Sequence, residues 1–126
     1  MHVEQLDNLD LTVRDLNATC AFYTRVLGMR ELHSEDGNRA LTFGGQKINL
    51  YLCGQSTEPG SQQTTLGPAD LCFITSEPLA HIACRLRDSG VCVEDGPVER
   101  AGTDGPILSI YFRDPDAHLI ELSNHL

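Results

Sequence analysis

Four oxygen-bearing side chains, Asn8, Asn49, Asp70 and Glu121, are the ones in this chain that packing explains least well. Glu121 is the sharpest case. In Leu119-Ile120-Glu121-Leu122-Ser123 the alternation of a β-strand sends Ile120 and Leu122 to one face, and Leu119, Glu121 and Ser123 to the other. A carboxylate therefore stands in the middle of an otherwise apolar closing strand. Desolvating it is costly unless it is paired, hydrogen-bonded or bound to a metal. It is either a functional group, as a metal ligand or a proton shuttle, or a carboxylate on a solvated sheet face.

The other three become candidates through the elements that position them. Leu9, Leu11 and Val13 alternate with Asn8, Asp10 and Thr12, which predicts a strand over Leu6–Val13. Asp15 is placed to cap a helix reaching about Leu27, with Gly28 as its stop. Strands are predicted near Met29–Ser34, Arg39–Phe43 and Lys47–Cys53, divided by turns at Asp36-Gly37-Asn38 and Gly44-Gly45-Gln46. Gly54–Pro68 has no periodicity and is read as a linker. The order then repeats. A strand over Asp70–Thr75 precedes a helix with Ser76 as its cap and Gly90 as its end. Next come a short strand at Val91–Val93, an irregular segment over Gly96–Gly105, and two strands joined at Asp114-Pro115-Asp116, where Pro fixes φ and Asp can cap the turn.

This predicts an α+β fold of paired βαβββ modules, residues 6–54 and 69–124, joined by a linker over 55–68 within one 126-residue domain. Each half-sheet is expected to curve as a half-barrel. Overlaying the halves matches Asn8 with Asp70 and Asn49 with Glu121. Strand parity directs all four away from the helices, and Tyr51 and Cys72 with them. On that face they form a polar pocket or a hard-cation site, with Asp70 and Glu121 as candidate metal ligands. Asn8, Asn49, Tyr51, Asp70 and Arg100 are the candidate substrate-binding residues, and Glu121 the candidate catalytic one. Arg100 and Arg113 border the expected opening, where an arginine can clamp an anion. Arg113 can equally brace the turn through Asp114 or Asp116.

The chain resembles the vicinal oxygen chelate superfamily, the group of glyoxalase I, fosfomycin-resistance transferases, extradiol dioxygenases and bleomycin-binding proteins. The resemblance rests on Leu6-Asp7-Asn8-Leu9, Phe22-Tyr23…Val26-Leu27-Gly28, Phe43-Gly44…Gln46-Lys47-Ile48-Asn49-Leu50, Ala69-Asp70-Leu71-Cys72-Phe73-Ile74-Thr75, Gly96-Pro97-Val98-Glu99-Arg100 and Arg113-Asp114-Pro115-Asp116…Glu121. It is greatest to the glyoxalase-domain-containing protein 5 type. It implies metal ligands at the positions of Asn8, Asn49, Asp70 and Glu121, typically His, Glu or Gln, His and Glu, so only Glu121 keeps the usual residue. Relatives often carry His at the position of Tyr51 as well. Imidazole is what lets such a site hold zinc, nickel or iron. The residues here imply a degraded site that binds Mg²⁺ or Mn²⁺ weakly and no transition metal tightly. The functions implied are a glyoxalase-like enzyme on a small oxygen-rich molecule, or a metal-free binder of the bleomycin-resistance type. The assembly implied is a homodimer.

Composition bounds the rest. Eighteen acidic against nine basic residues give a net charge of −9, which opposes nucleic-acid and anionic membrane surfaces. No apolar run has membrane-spanning length, and the N-terminus lacks a signal-peptide pattern, so the cytoplasm is expected. The five cysteines contain no Cys-x-x-Cys pair and read as reduced core thiols. His81 is expected on a solvated helix face, His33 at a strand end, His118 at the start of the last strand, and His2 and His125 at the termini.

Overall fold

Periodicity accounts for most of the architecture. A computed structural model describes residues 1–35, 37–54, 56–57, 62–63 and 69–126. The chain divides into two compact units, Met1–Gly67 and Pro68–Leu126. The first contains β1 (Leu9–Val13), α1 (Leu16–Arg25), β2 (Arg30–His33), β3 (Arg39–Phe43) and β4 (Gln46–Leu52). A two-residue ladder, β5 (Ser56–Thr57) with β6 (Gln62–Gln63), lies within the expected linker. The remainder of that linker, and Asp36 of the first predicted turn, lie outside the described residues. The second unit contains β7 (Asp70–Ile74), α2 (Leu79–Asp88), β8 (Asp95–Gly102), β9 (Gly105–Arg113) and β10 (Leu119–His125).

Each unit is therefore a βαβββ module with one four-stranded mixed sheet, ordered β1-β4-β3-β2 in the first and β7-β10-β9-β8 in the second. In both, the first strand pairs parallel with the last, and the remaining neighbours are antiparallel. The helix makes the crossover that a parallel pair requires. Leu11, Val13, Ile48 and Leu50 are buried in the first unit together with Tyr23 of α1. In the second, Ile110, Phe112, Ile120 and Leu122 are buried with Leu79, Ile82 and Leu86 of α2. The residues between them on each strand face the other way, as the alternation requires.

Asp15 caps α1 as expected, its Oδ1 accepting from the Ala18 amide at 3.1 Å. Ser76 does not cap α2. The N-cap is Pro78, which has no side-chain acceptor, and Asn124 of β10 takes over the task. Its Oδ1 accepts from the Leu79 amide at 3.1 Å, and its Nδ2 donates to the Thr75 and Glu77 carbonyls at 2.9 Å each. One side chain thus ties the start of the helix to the last strand. Asn124→Ala is expected to lower stability by about 1–3 kcal/mol, because it strands these backbone groups, and a thermal melt reads the loss.

Three further expectations fail. No strand forms at Val91–Val93, and the segment read as irregular is the eight-residue edge strand β8. Its register against β9 shifts between Asp95 and Val98. Gly96 permits this by adopting φ +99°, close against the backbone of Ser109 and Ile110. The cysteines are free, but Cys20 alone is in the core, and Cys53, Cys72, Cys84 and Cys92 are exposed. Asp114 closes the β9–β10 turn with its own Oδ1, which accepts from the Asp116 and His118 amides at 2.9 Å each. Arg113 pairs with neither aspartate; it holds Glu94 at 3.1 Å and donates to the Ala117 carbonyl.

Candidate functional site

In the second unit, register sets the site. Glu121 of β10 lies opposite Tyr111 of β9 on one side and Cys72 of β7 on the other, and Tyr111 in turn lies opposite Asp95 of β8. All four share the sheet face turned away from α2. One step along, Leu119 pairs with Asp70, and one step the other way Ser123 pairs with Ser109. Asp70, Leu71, Cys72, Tyr111, Leu119 and Glu121 line a cleft of about 240 Å³. Two of the predicted site residues, Asp70 and Glu121, thus share one cavity wall.

A hydroxyl pair holds the carboxylate. Ser109 Oγ donates to Glu121 Oε2 at 2.8 Å, and the Ser109 and Ser123 oxygens are 2.6 Å apart. Both serines are fully buried. With the Ser109 proton committed to Glu121, Ser123 must supply the hydrogen between the two hydroxyls. Cys72 Sγ lies 4.0 Å from Ser123 Oγ, at the end of the same run. Asp70, by contrast, is exposed and meets no cation among the described residues.

Arg100 of β8 stands outside the cleft lining and touches its wall through Tyr111. Its Nε donates to the Tyr111 hydroxyl at 3.1 Å, its guanidinium stands 5.6 Å from the ring centre, and Asp95 lies 3.8 Å away. The bond to Tyr111, followed by the charges of Asp95 and Glu121, raises the guanidinium above its ordinary pKa. It stays charged under any physiological condition.

The Cys72 thiol keeps solvent contact, yet partial desolvation in the cleft, reinforced by the negative charge of Glu121, pushes its pKa up from the ordinary thiol value. Thiolate forms only as pH rises past that raised value, so Cys72 is expected to alkylate more slowly than Cys84 and Cys92 at neutral pH. Peptide mapping after a timed iodoacetamide reaction measures the order.

In the first unit, Asn8 and Asn49 do meet. Asn49 Nδ2 donates to Asn8 Oδ1 at 3.1 Å and to Asp10 Oδ1 at 3.0 Å, and Asn8 donates to Asp7 at 2.7 Å. Asn8 precedes β1, which begins three residues later than predicted, and Met1–Asn8 are exposed. Tyr51 is half-buried on β4 opposite Thr12. The sequence reading passed over Ser109 and Tyr111 and gave Asp10 no role. The signal for the first two was present, since a hairpin turning at Asp114–Asp116 puts Ser109 and Tyr111 in phase with Ser123 and Glu121.

A tightly held transition metal takes three or four imidazole, thiolate or carboxylate donors gathered round one point. Among the described residues no three His, Cys, Asp or Glu side chains gather as such a site needs. His118 is buried with Nδ1 accepting from the Ala69 amide, His33 pairs with Glu31, and one oxygen of Glu121 is engaged by Ser109. A larger groove of about 410 Å³ lies along Ile74, Thr75, Ser76, Pro78, Asn124 and His125. Its amide side chain is consumed in capping α2, which leaves less chemistry there than around Glu121.

A family model described as the Glyoxalase/Bleomycin resistance protein/Dioxygenase superfamily matches residues 5–122. The chain belongs to this superfamily. It is 44% identical over 126 residues to a virulence protein of Salmonella typhimurium, covering 100% of this chain and 88% of that relative. A crystal structure of that protein superposes with a TM-score of 0.92 over 100% of both chains. It is 46% identical over 125 residues to a glyoxalase domain-containing protein of Mycosarcoma maydis, covering 99% of this chain and 70% of that one. An integron cassette protein of Vibrio cholerae gives a TM-score of 0.93 at 47% identity, over 100% of this chain and 98% of the other. The two four-stranded mixed sheets are thus the superfamily's fold, as the sequence motifs implied.

Proposed function

We propose that this glyoxalase-superfamily protein holds a small oxygen-rich molecule in the cleft of the second sheet, with Glu121 as the group that meets its reactive hydrogen. The observation that carries this reading is a carboxylate fixed by the buried Ser109 hydroxyl, itself bonded to Ser123, on the wall of a cavity that also displays Asp70, Cys72 and Tyr111. A carboxylate so placed can accept a hydrogen bond or a proton from a bound hydroxyl or an activated C–H. Asp70 is the second acceptor. Asn8, Asn49 and Tyr51 of the first unit are proposed as ligand-binding residues in their own right. A hard cation such as Mg²⁺ or Mn²⁺ would find only weak oxygen ligands in Asp70 and Glu121.

Binding without turnover is the second reading, favoured by the lack of imidazole at Asn8 and Tyr51 and by the net charge of −9. The test is a titration of isotope-labelled protein with a panel of small hydroxy acids, keto acids, polyols and amines, followed by NMR. The amides of Asp70, Cys72, Tyr111 and Glu121 are expected to shift together. Binders that shift only the Ile74–Asn124 groove would overturn the assignment. Product signals growing with time separate catalysis from storage.

A homodimer is the proposed assembly, supported by the exposed apolar side chains of Leu32 and Ile74, 47% and 50% accessible. Sedimentation is expected to give twice the 13.8 kDa chain mass; a single-chain mass that persists on concentration would contradict it. The free cysteines support a reducing compartment such as the cytoplasm. Among the described residues no helix is long and apolar enough to cross a membrane.

A further inference from the structure

The cleft face of the second sheet carries charges of both signs on different strands; Arg113 of β9 shares that face but is held by Glu94 at 3.1 Å. Arg100 stands on β8, the Tyr111 phenol on β9, Glu121 on β10 and Asp70 on β7, which is the order of the strands across the sheet. Neighbouring strands lie about 5 Å apart, so the cation and the carboxylates are separated by roughly 10 Å of sheet. Tyr111 fills the step between them, with its oxygen engaged by Arg100. Arg100 also meets Asp95 at 3.8 Å, with both side chains about half exposed. A pair so solvated is weak and leaves the guanidinium open to a better-placed anion. At the opposite end, Asp70 meets no cation among the described residues, and Glu121 is in contact with a hydroxyl and interacts with Arg100 only at a distance.

A ligand that fills the cleft and extends past Tyr111 meets Arg100 at one end and Glu121 with Asp70 at the other. From that polarity we infer that the cleft selects an amphoteric molecule, with a carboxylate or similar anion on Arg100 and an ammonium group facing Glu121 and Asp70. The inference rests on the proposal that the Glu121 cleft is the binding site, and it adds the class of ligand. A purely anionic ligand would meet two carboxylates, and a purely cationic one would meet Arg100. An overall charge of −9 does not distinguish these cases; the order of the strands does.

Three matched probes test it: δ-aminovalerate, which carries both charges, valerate, which lacks the ammonium, and pentylamine, which lacks the carboxylate. Affinities come from calorimetry and the site from amide shifts of Asp70, Cys72, Tyr111 and Glu121. δ-Aminovalerate is expected to bind at least about 10-fold more tightly than either single-charge probe, the worth of one charge-assisted hydrogen bond. Arg100→Gln should reduce it to the level of pentylamine. Glu121→Gln should reduce it to the level of valerate. Asp95→Asn should strengthen it by freeing the guanidinium, and Arg87→Gln, on the exposed side of α2, should leave it unchanged. Unaltered melting of Arg100→Gln confirms that the loss is not one of folding.

Pentylamine binding in the cleft as tightly as δ-aminovalerate would overturn the amphoteric class and leave the cleft assignment standing. The same holds if all three probes fail to shift the cleft while a compound of the broader panel does so. If no probe and no panel compound shifts these four amides, both readings fall together.

Discussion

Replacing Glu121 with Gln is expected to leave the melting temperature unchanged or slightly raised while weakening ligand binding by about 10- to 100-fold. The two effects separate because the amide keeps the oxygen that accepts from Ser109, so the buried hydroxyl pair stays satisfied. What disappears is the negative charge. Its removal relieves the cost of holding an ionised carboxylate half-buried with no cation in contact with it, Arg100 acting only at a distance. It also removes a charge-assisted hydrogen bond to the ligand, about 1.5–3 kcal/mol. Asp70→Asn should act in the same direction, since it lines the same cavity. Glu99→Gln should change neither property. Melts with and without Mn²⁺, and with and without a panel binder, give both quantities. A Glu121→Gln variant that melts several degrees lower with its binding intact would make Glu121 a structural partner.

The largest loss of stability among the residues that shape the site is expected at Gly96. A Cβ there would overlap the Ser109 carbonyl oxygen and come within 2.9 Å of the Ile110 Cα, both backbone atoms of β9 that cannot swing aside. The φ of +99° adds strain for any L side chain. Gly96→Ala should therefore cost about 3 kcal/mol or more, by overpacking and backbone strain together. The site suffers with the fold, because displacing β8 carries Arg100 away from Tyr111. Gly90 is the control. Its φ is +76°, but nothing lies within 4 Å of a built Cβ, so Gly90→Ala should cost only about 1 kcal/mol. Denaturant melts of the two variants should differ clearly, and equal losses would refute the close-approach argument.

The order of elements was legible because each module writes its periodicity plainly, with Leu9, Leu11 and Val13 at period two and Leu79, Ile82, Ala83 and Leu86 at helical spacing. The β8 strand was hidden because an edge strand has one neighbour and need not bury alternate side chains. Asp95–Gly102 carries two glycines and a proline and no apolar alternation. Val91-Cys92-Val93 reads more like a strand by composition, yet pairs with nothing in the sheet. The cap of α2 was hidden for a different reason. Local rules look a few residues along the chain, whereas Asn124 acts on Leu79 across 45 positions. The exposed thiols were misread through composition, since Cys72 sits in an apolar run but on the same side of its strand as Asp70.

The face carrying Glu121 followed from parity alone, and so did the proximity of Asn8 to Asn49, 41 residues apart but joined once the first and last strands pair. What parity could not supply was the hydroxyl pair beneath Glu121. That depends on the exact register of the β9–β10 hairpin, which places Ser109 opposite Ser123. A shift of one residue would send Ser109 to the α2 face, away from Ser123 and Glu121.

Cys72 offers the most direct test of whether this cleft is the binding site, because its thiol lines the cavity and can be followed without any assumption about chemistry. The rate of its alkylation, measured by peptide mapping at alkaline pH with and without a saturating panel binder, reports occupancy at the atom level. Cys84 on the exposed side of α2 serves as the internal reference. The account predicts that a binder slows Cys72 alkylation by about 10-fold or more, by steric exclusion at high occupancy, and leaves Cys84 unchanged. Equal rates at Cys72 with and without a compound known to be bound would place the ligand elsewhere and contradict it.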